Sequence, residues 1–144
     1  MSVMAAELST FVDTNVLIYA YDRDAGDKHE IAKALLGRLW NDRNGSLSTQ
    51  VLQEFYVTAT RKLADPLSRE VAREAVRAYA RWQVQRVGVV EIIEASQLEE
   101  QHHLSFWDAL IVVSAQRAGA RRLCTEDLQA GRDFNGLVVE NPFA

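Results

Sequence analysis

The sequence predicts an α/β fold, with a mostly parallel central sheet of about five strands covered by helices on both faces. Two observations carry this expectation. Short apolar or β-branched runs alternate with helix-length segments along the whole chain, the pattern of strands joined by helical crossovers. The chain has 144 residues, a length that suits one domain over residues 1–144. At that size roughly 68–70% of the unfolded surface is buried, enough for a core without staples.

The elements follow in order. Residues 11–13 end a first strand, and residues 14–21 form a short helix followed by a loop over 21–27. Residues 28–41 read as an amphipathic helix, because Ile31, Leu35, Leu36, Leu39 and Trp40 recur at three- and four-residue spacing. Asn44-Gly45 marks a turn. Residues 46–49 are a short strand leading into a helix over 50–63, with Val51, Leu52, Phe55, Val57, Ala59 and Leu63 on or near one face. Asp65-Pro66 breaks that helix. Ser68 is a candidate N-cap for the next, which is expected to run to about residue 85 with Val71, Ala75, Val76 and Tyr79 toward the core. Residues 87–93 are β-branched and apolar and predict a third strand. Residues 95–104 read as a helix, and Ser105 caps another over 106–118 that Gly119 stops. Residues 122–125 form a fourth strand and residues 137–140 a fifth, ended by Pro142.

Composition excludes some classes. Apolar residues at 48% and charged residues at 25% are ordinary for a soluble globular chain. The single cysteine, Cys124, rules out an intrachain disulfide and fits a reducing compartment. Residues 1–8 hold neither a basic stretch nor a long apolar one, so no secretory signal is expected. The apolar runs fall short of the ~20 residues a membrane helix needs. A cytoplasmic protein without a membrane partner is the expectation. The net charge of −4 weighs mildly against a nucleic-acid binder, although a site built from carboxylates would itself lower the charge.

Acidic residues stand at comparable points of four segments. Asp13 ends the first strand in Val-Asp-Thr-Asn, Glu54 lies in the helix after the second strand, Asp108 sits in the first turn after Ser105, and Asp127 follows the fourth strand. A parallel sheet brings Asp13 and Asp127 to one rim, the carboxyl edge where open α/β sheets bind ligands. Two carboxylates ~5 Å apart repel by about 3 kcal/mol at an effective dielectric near 20, so four gathered together call for a cation. Oxygen ligands suit Mg²⁺ or Mn²⁺ over zinc. Each acid also has a structural reading. Asp108 fits a capping box with Ser105, Asp127 an N-cap, and Glu54 a solvated helix position. Asp13, in Asp-Thr-Asn at the end of an apolar strand, has no obvious partner.

Taken together, Val-Asp-Thr-Asn, Gln-Glu in a helix, Trp-Asp-Ala-Leu-Ile and Thr-Glu-Asp-Leu resemble a PIN-domain nuclease, and within that superfamily are similar to VapC toxins of bacterial toxin–antitoxin pairs. The resemblance spans residues 8–141. It implies a three-layer α/β/α fold. By position, Asp13, Glu54, Asp108 and Asp127 match the family's acidic quartet, which serves as both catalytic and metal-binding set. Asn15 and Thr125 match supporting polar positions, and Thr14, between Asp13 and Asn15, reads as further polar support for Asp13. The resemblance further implies Mg²⁺- or Mn²⁺-dependent endoribonuclease activity on an RNA substrate, homodimerisation and a small cognate antitoxin. Glu126, adjacent to Asp127, departs from the pattern and competes for the fourth position.

For RNA, Arg69, Arg73, Arg77 and Arg81 recur at four-residue spacing, about 400° of helix, and form a stripe able to track phosphates. Ion pairing with Glu70 and Glu74 on a solvated face is the competing reading. Arg117, Arg121 and Arg122 form a second basic group. His29, His102 and His103 read as surface or helix-end residues, Cys124 as core, and Trp40, Trp82 and Trp107 as packing, with Trp107, beside Asp108, also a candidate to border the site. A phosphoacceptor receiver domain would require a lysine at the end of a late strand, where this chain has Glu126-Asp127 and Glu140-Asn141. An aspartyl phosphatase would require a second Asp where Asn15 stands. A non-catalytic scaffold and an RNA-processing nuclease remain as alternatives.

Overall fold

The structure is a computed structural model that describes residues 9–144; residues 1–8, read above for a leader, lie outside the described residues. Its elements are β1 (Thr10–Val12), α1 (Thr14–Tyr21), α2 (Asp27–Asp42), β2 (Gly45–Ser48), α3 (Thr49–Arg61), α4 (Arg69–Tyr79), β3 (Gln83–Gln85), α5 (Val89–His102), α6 (Phe106–Arg117), β4 (Arg122–Cys124), β5 (Asp133–Phe134) and β6 (Leu137–Glu140). A single turn of 3₁₀ helix, Arg23–Ala25, joins α1 to α2. Among the described residues no helix is long and apolar enough to cross a membrane.

The strands form one sheet in the order β3-β2-β1-β4-β6-β5. All neighbours are parallel except β5 and β6. Thr10, Phe11 and Val12 are fully buried, as a central strand with partners on both edges requires. The chain leaves β1 toward β2 and β3, then crosses back to β4 on the other side of β1. The switch point therefore lies between β1 and β4, where Val12 pairs with Cys124. The residues just beyond that pair, Asp13 and Thr125, consequently stand side by side.

The helices pack in two groups. Helix α1 contacts α2 and α3, and α3 contacts α4; α5 packs on α6, which lies on β2 and β3. This is the expected layered α/β/α arrangement with a mostly parallel sheet. Phe11, Leu47, Leu123 and Val139 from the strands meet Val16, Leu17, Phe55 and Val112 from the helices in one core.

Three expectations are corrected. The helix after Ser68 ends at Tyr79, and residues 83–85 form edge strand β3. Trp40, Tyr79 and Trp82 pack ring against ring, folding the chain back. The Trp82 ring lies over Gly45, where a Cβ would come within 2.6 Å of it, so only glycine admits this approach. Val71, expected in the core, is exposed, while Ala72, Ala75 and Tyr79 are buried.

Residues 87–93 do not form a strand; Val89 begins α5. The Glu91 carboxylate accepts a hydrogen bond from the Gly88 N–H at 2.6 Å, which fixes a helix start. Val89, Val90, Ile92 and Ile93 are exposed instead of lining a sheet, while Val87 packs on the core shared by α5 and α6. Strand β5 was not expected, because two residues closing a hairpin through Asn135-Gly136 carry too short a pattern to register.

Candidate functional site

The carboxyl edge at the switch point opens into a cleft lined by Asp13, Glu54, Asp108 and Asp127, together with Thr14 and Asn15. Each acid is delivered differently. Asp13 terminates β1 and caps α1, its Oδ1 accepting from the Thr14 N–H at 2.7 Å. Glu54 projects from the second turn of α3, a helix begun by the Ser48 hydroxyl bonding the Val51 N–H. Asp108 stands in the first turn of α6, and its N–H donates to Ser105 Oγ at 3.1 Å. Asp127 follows β4. The capping reading of Ser105 and the cleft position of Asp108 are therefore both true: the backbone N–H and the carboxylate of Asp108 both bond the Ser105 side chain, and the residue still lines the cleft.

Asp13 is 5% exposed, and its second oxygen accepts from Thr125 Oγ1 at 2.7 Å and from Asn15 Nδ2 at 3.4 Å. The Asn15 amide also reaches Asp127 Oδ2 at 3.1 Å and Thr125 Oγ1 at 3.1 Å. Asn15 Oδ1 accepts from the Glu126 N–H, and Thr125 Oγ1 from the Asp127 N–H. Thr14 Oγ1 donates to Glu54 Oε1 at 2.7 Å. Thus Thr14, Asn15 and Thr125 tie three of the four acids together.

Burial pushes the Asp13 carboxyl up to about 7, against the pull of its bonds from Thr125 and Thr14 and with added repulsion from Asp127 and Glu54. Desolvation likewise raises Asp108, opposed by Ser105 and reinforced by Asp127 and Glu54. Mutual repulsion of this kind is what a counter-ion would relieve.

Among the described residues, no group of three or more His, Cys, Asp or Glu side chains is arranged to hold a metal ion. The donor chemistry nevertheless fits one. The four carboxylates line a single cleft, all their donors are oxygen, and the charges of Glu54 and Asp127 help to raise the carboxyls of Asp13 and Asp108. That set matches hard divalent cations such as Mg²⁺ and Mn²⁺. Joint coordination requires the side chains to draw together.

Glu126 points elsewhere. Its carboxylate takes a hydrogen bond from Tyr19 and an ion pair from Lys28 at 2.9 Å. Burial raises its carboxyl, but these two partners outweigh burial and hold it below the usual range. Asp127, not Glu126, lines the cleft.

The arginine stripe separates. Arg73 and Arg77 rim an apolar groove between α3 and α4 that meets the cleft at Gln53 and Val57. Arg77 also pairs with Glu74. Arg81 lies past the end of α4, beside Trp40 and Trp82, and Arg69 is an exposed residue of the first turn. The second basic group is structural in part. Arg117 clamps Glu91 and Glu94 of α5, and Arg122 bonds Thr10 Oγ1 and pairs with Glu140.

His29 Nδ1 lies 2.9 Å from the Tyr19 carbonyl. His102 packs on Phe134, and His103 is the left-handed cap of α5. Cys124 is a buried free thiol, pushed up to about 11 by its burial.

Sequence reasoning missed Gln50, Thr58 and Lys62, which line the cleft beside Glu54. The signal was present, since all three share four-residue spacing with Glu54 along α3. Of the two readings of Trp107, packing is set aside: the residue is 62% exposed and lines the cleft beside Asp108.

The chain matches the family model for the PIN domain over residues 10–132. No curated protein matches it. Among solved structures, a toxin–antitoxin complex from Klebsiella pneumoniae aligns at TM-score 0.68 and 20% identity over 93% of this chain and 98% of that one. Mycobacterium tuberculosis VapC20, a sarcin–ricin-loop-cleaving toxin, aligns at 0.63 and 24% over 80% and 87%. A DNA-bound VapBC from Salmonella typhimurium aligns at 0.63 and 19% over 94% and 98%. At these identities the structures share the fold, while the family match extends over most of the sequence: the chain belongs to the PIN-domain family.

Proposed function

We propose that this chain is a metal-dependent endoribonuclease, the toxin of a toxin–antitoxin pair, hydrolysing RNA phosphodiester bonds with Mg²⁺ or Mn²⁺. The observation that carries the reading is the convergence of four carboxylates from four separate segments on one cleft, with the most buried, Asp13, held by Thr14, Asn15 and Thr125. Membership of the PIN family and the fold shared with VapC proteins support it.

Asp13, Glu54, Asp108 and Asp127 are the residues that would hold the cation. Such an ion, when bound, lowers the pKa of a water and stabilises charge at phosphorus during in-line attack. Thr125 and Asn15 aim Asp13 and Asp127, and Thr14 restrains Glu54. Lys62, the cation on the cleft wall, meets the phosphate backbone. Arg73 and Arg77, reached across Gln53 and Val57, are the members of the stripe placed to follow the strand outward.

A small antitoxin, a homodimeric state and a cytoplasmic location complete the reading, with residues 1–144 acting as one unit. The solved structures that are toxin–antitoxin assemblies support the antitoxin. The outward-facing apolar start of α5 supports pairing with a second copy.

The test is purified protein with structured RNAs, in Mg²⁺ or Mn²⁺ against EDTA, and native against Asp13→Asn. Cleavage is expected with either metal, at background level in EDTA and in the variant. Cleavage that survives EDTA, or full-rate cleavage by Asp13→Asn, overturns the metal mechanism. RNA left intact under every condition, by a protein that still binds a small partner, favours a scaffold.

A further inference from the structure

Trp107 is the cleft residue that the proposed chemistry leaves unused. It immediately precedes Asp108, and its ring lines the same cleft as Asp13, Glu54 and Asp127 while remaining 62% exposed. Its backbone is fixed: it lies in the first turn of α6, and its carbonyl accepts from Gln50 Nε2 at 3.5 Å. Phe106 and the indole form a T-shaped pair, with centroids 5.2 Å apart and an interplanar angle of 80°. Phe106 in turn packs on the core shared by α5 and α6. Phe106 thus holds the indole on one side, and the residue stays largely exposed where it lines the cleft.

The charge around it defines what fits. The cleft wall carries four carboxylates and one cation, Lys62, so a polyanionic strand gains little there from electrostatics. A nucleobase is uncharged and presents a π face, and base–aromatic stacking tolerates any base.

We propose that Trp107 is a stacking platform for one unpaired nucleobase of the RNA, on the nucleotide flanking the scissile phosphate. The ring selects strands whose bases are free to splay, such as loops and single strands, over continuous duplex. This inference rests on the nuclease reading and adds a binding subsite to it.

The experiment uses a short single-stranded RNA oligonucleotide with Ca²⁺ in place of Mg²⁺ to hold cleavage back, and the same oligonucleotide with abasic positions. Affinity is measured for the native protein, Trp107→Ala and Trp107→Phe by the anisotropy of a fluorophore on the 5′ end of the oligonucleotide, and tryptophan emission is read alongside. Trp40 and Trp82, packed with Tyr79 away from the cleft, provide the unresponsive background. The native protein is expected to show quenching and to bind the base-bearing strand roughly ten-fold more tightly than the abasic one. Trp107→Ala should lose both the quenching and that ten-fold preference, and Trp107→Phe should keep most of the preference.

Equal affinity of native and Trp107→Ala protein for the base-bearing strand overturns the proposal. So does a change in solution mass for Trp107→Ala, which would make the ring a protein–protein contact. Parallel cleavage assays separate the two readings. Native cleavage without a Trp107 effect sinks the platform alone, and a Trp107-dependent preference without cleavage sinks the nuclease alone.

Discussion

Asp13 spends its two oxygens on three side-chain and backbone donors and still holds its proton up to about 7. That combination makes a prediction about pH. The folded carboxyl binds its proton more tightly than the unfolded one, so ionisation works against folding. Stability of the metal-free protein is expected to fall as pH rises from about 4 to about 7, by at most about 4 kcal/mol and less once local relaxation is allowed. Thermal melts at several pH values in EDTA check it. Mg²⁺ should raise the melting temperature at pH 8 more than at pH 5, because a cation binds the ionised cluster. A flat profile in EDTA would show that Asp13 is better solvated than its surroundings indicate. Thr125 is the second residue to test. Its hydroxyl donates to Asp13 and accepts from Asn15 and the Asp127 N–H, so Thr125→Val should cost about 10- to 100-fold in metal affinity or activity. Titration of Mg²⁺ against cleavage rate measures both.

Helix α5 shows how a single carboxylate settles an element. Glu91 is buried, bonds the Gly88 N–H and pairs with Arg117 of α6 at 3.2 Å. Glu91→Ala removes the helix start and one strut between α5 and α6, while Arg117 keeps Glu94. The expected loss is about 1–2 kcal/mol, read as a lower urea midpoint at unchanged slope. The same element marks where the sequence was and was not legible. Strands β1, β2, β4 and β6 and the starts of α4 and α6 could be read, because apolar runs ending in Asp13 or Thr125 and caps such as Ser68 and Ser105 are local signals. The run Val87 to Ile93 misled, since β-branched residues normally mark strands and nothing local says that the side chains of Val89, Val90, Ile92 and Ile93 face outward. The end of α4 misled for a related reason. It is set by Trp82 lying over Gly45, a contact between residues far apart in sequence. The acids were legible as a set because the strand order carries Asp13 and Asp127 to one edge. Trp107 was legible only as a neighbour of Asp108, since periodicity cannot distinguish an aromatic ring that packs from one that lines a cleft.

At the scale of the whole molecule, the outward side chains of α5 call for an account. Val89, Val90, Ile92 and Ile93 are 72%, 55%, 46% and 55% exposed, and a contiguous apolar surface of this kind usually meets a partner. Val89, Ile92 and Ile93 share one helical face by their spacing. An apolar face meets its own copy across a two-fold axis without like-charge repulsion, which suits an interface between identical chains. The chain is therefore expected to be a dimer at micromolar concentration, and Ile93→Glu is expected to shift its mass to that of a monomer. Light scattering coupled to size exclusion measures the mass, and a urea melt of the variant checks the fold. Because Ile93 is already exposed within the chain, its replacement should leave the intrinsic stability within about 0.5 kcal/mol of native once dissociation is accounted for. A native protein that runs as a monomer, or an Ile93→Glu variant that remains a dimer, would move the pairing surface off α5.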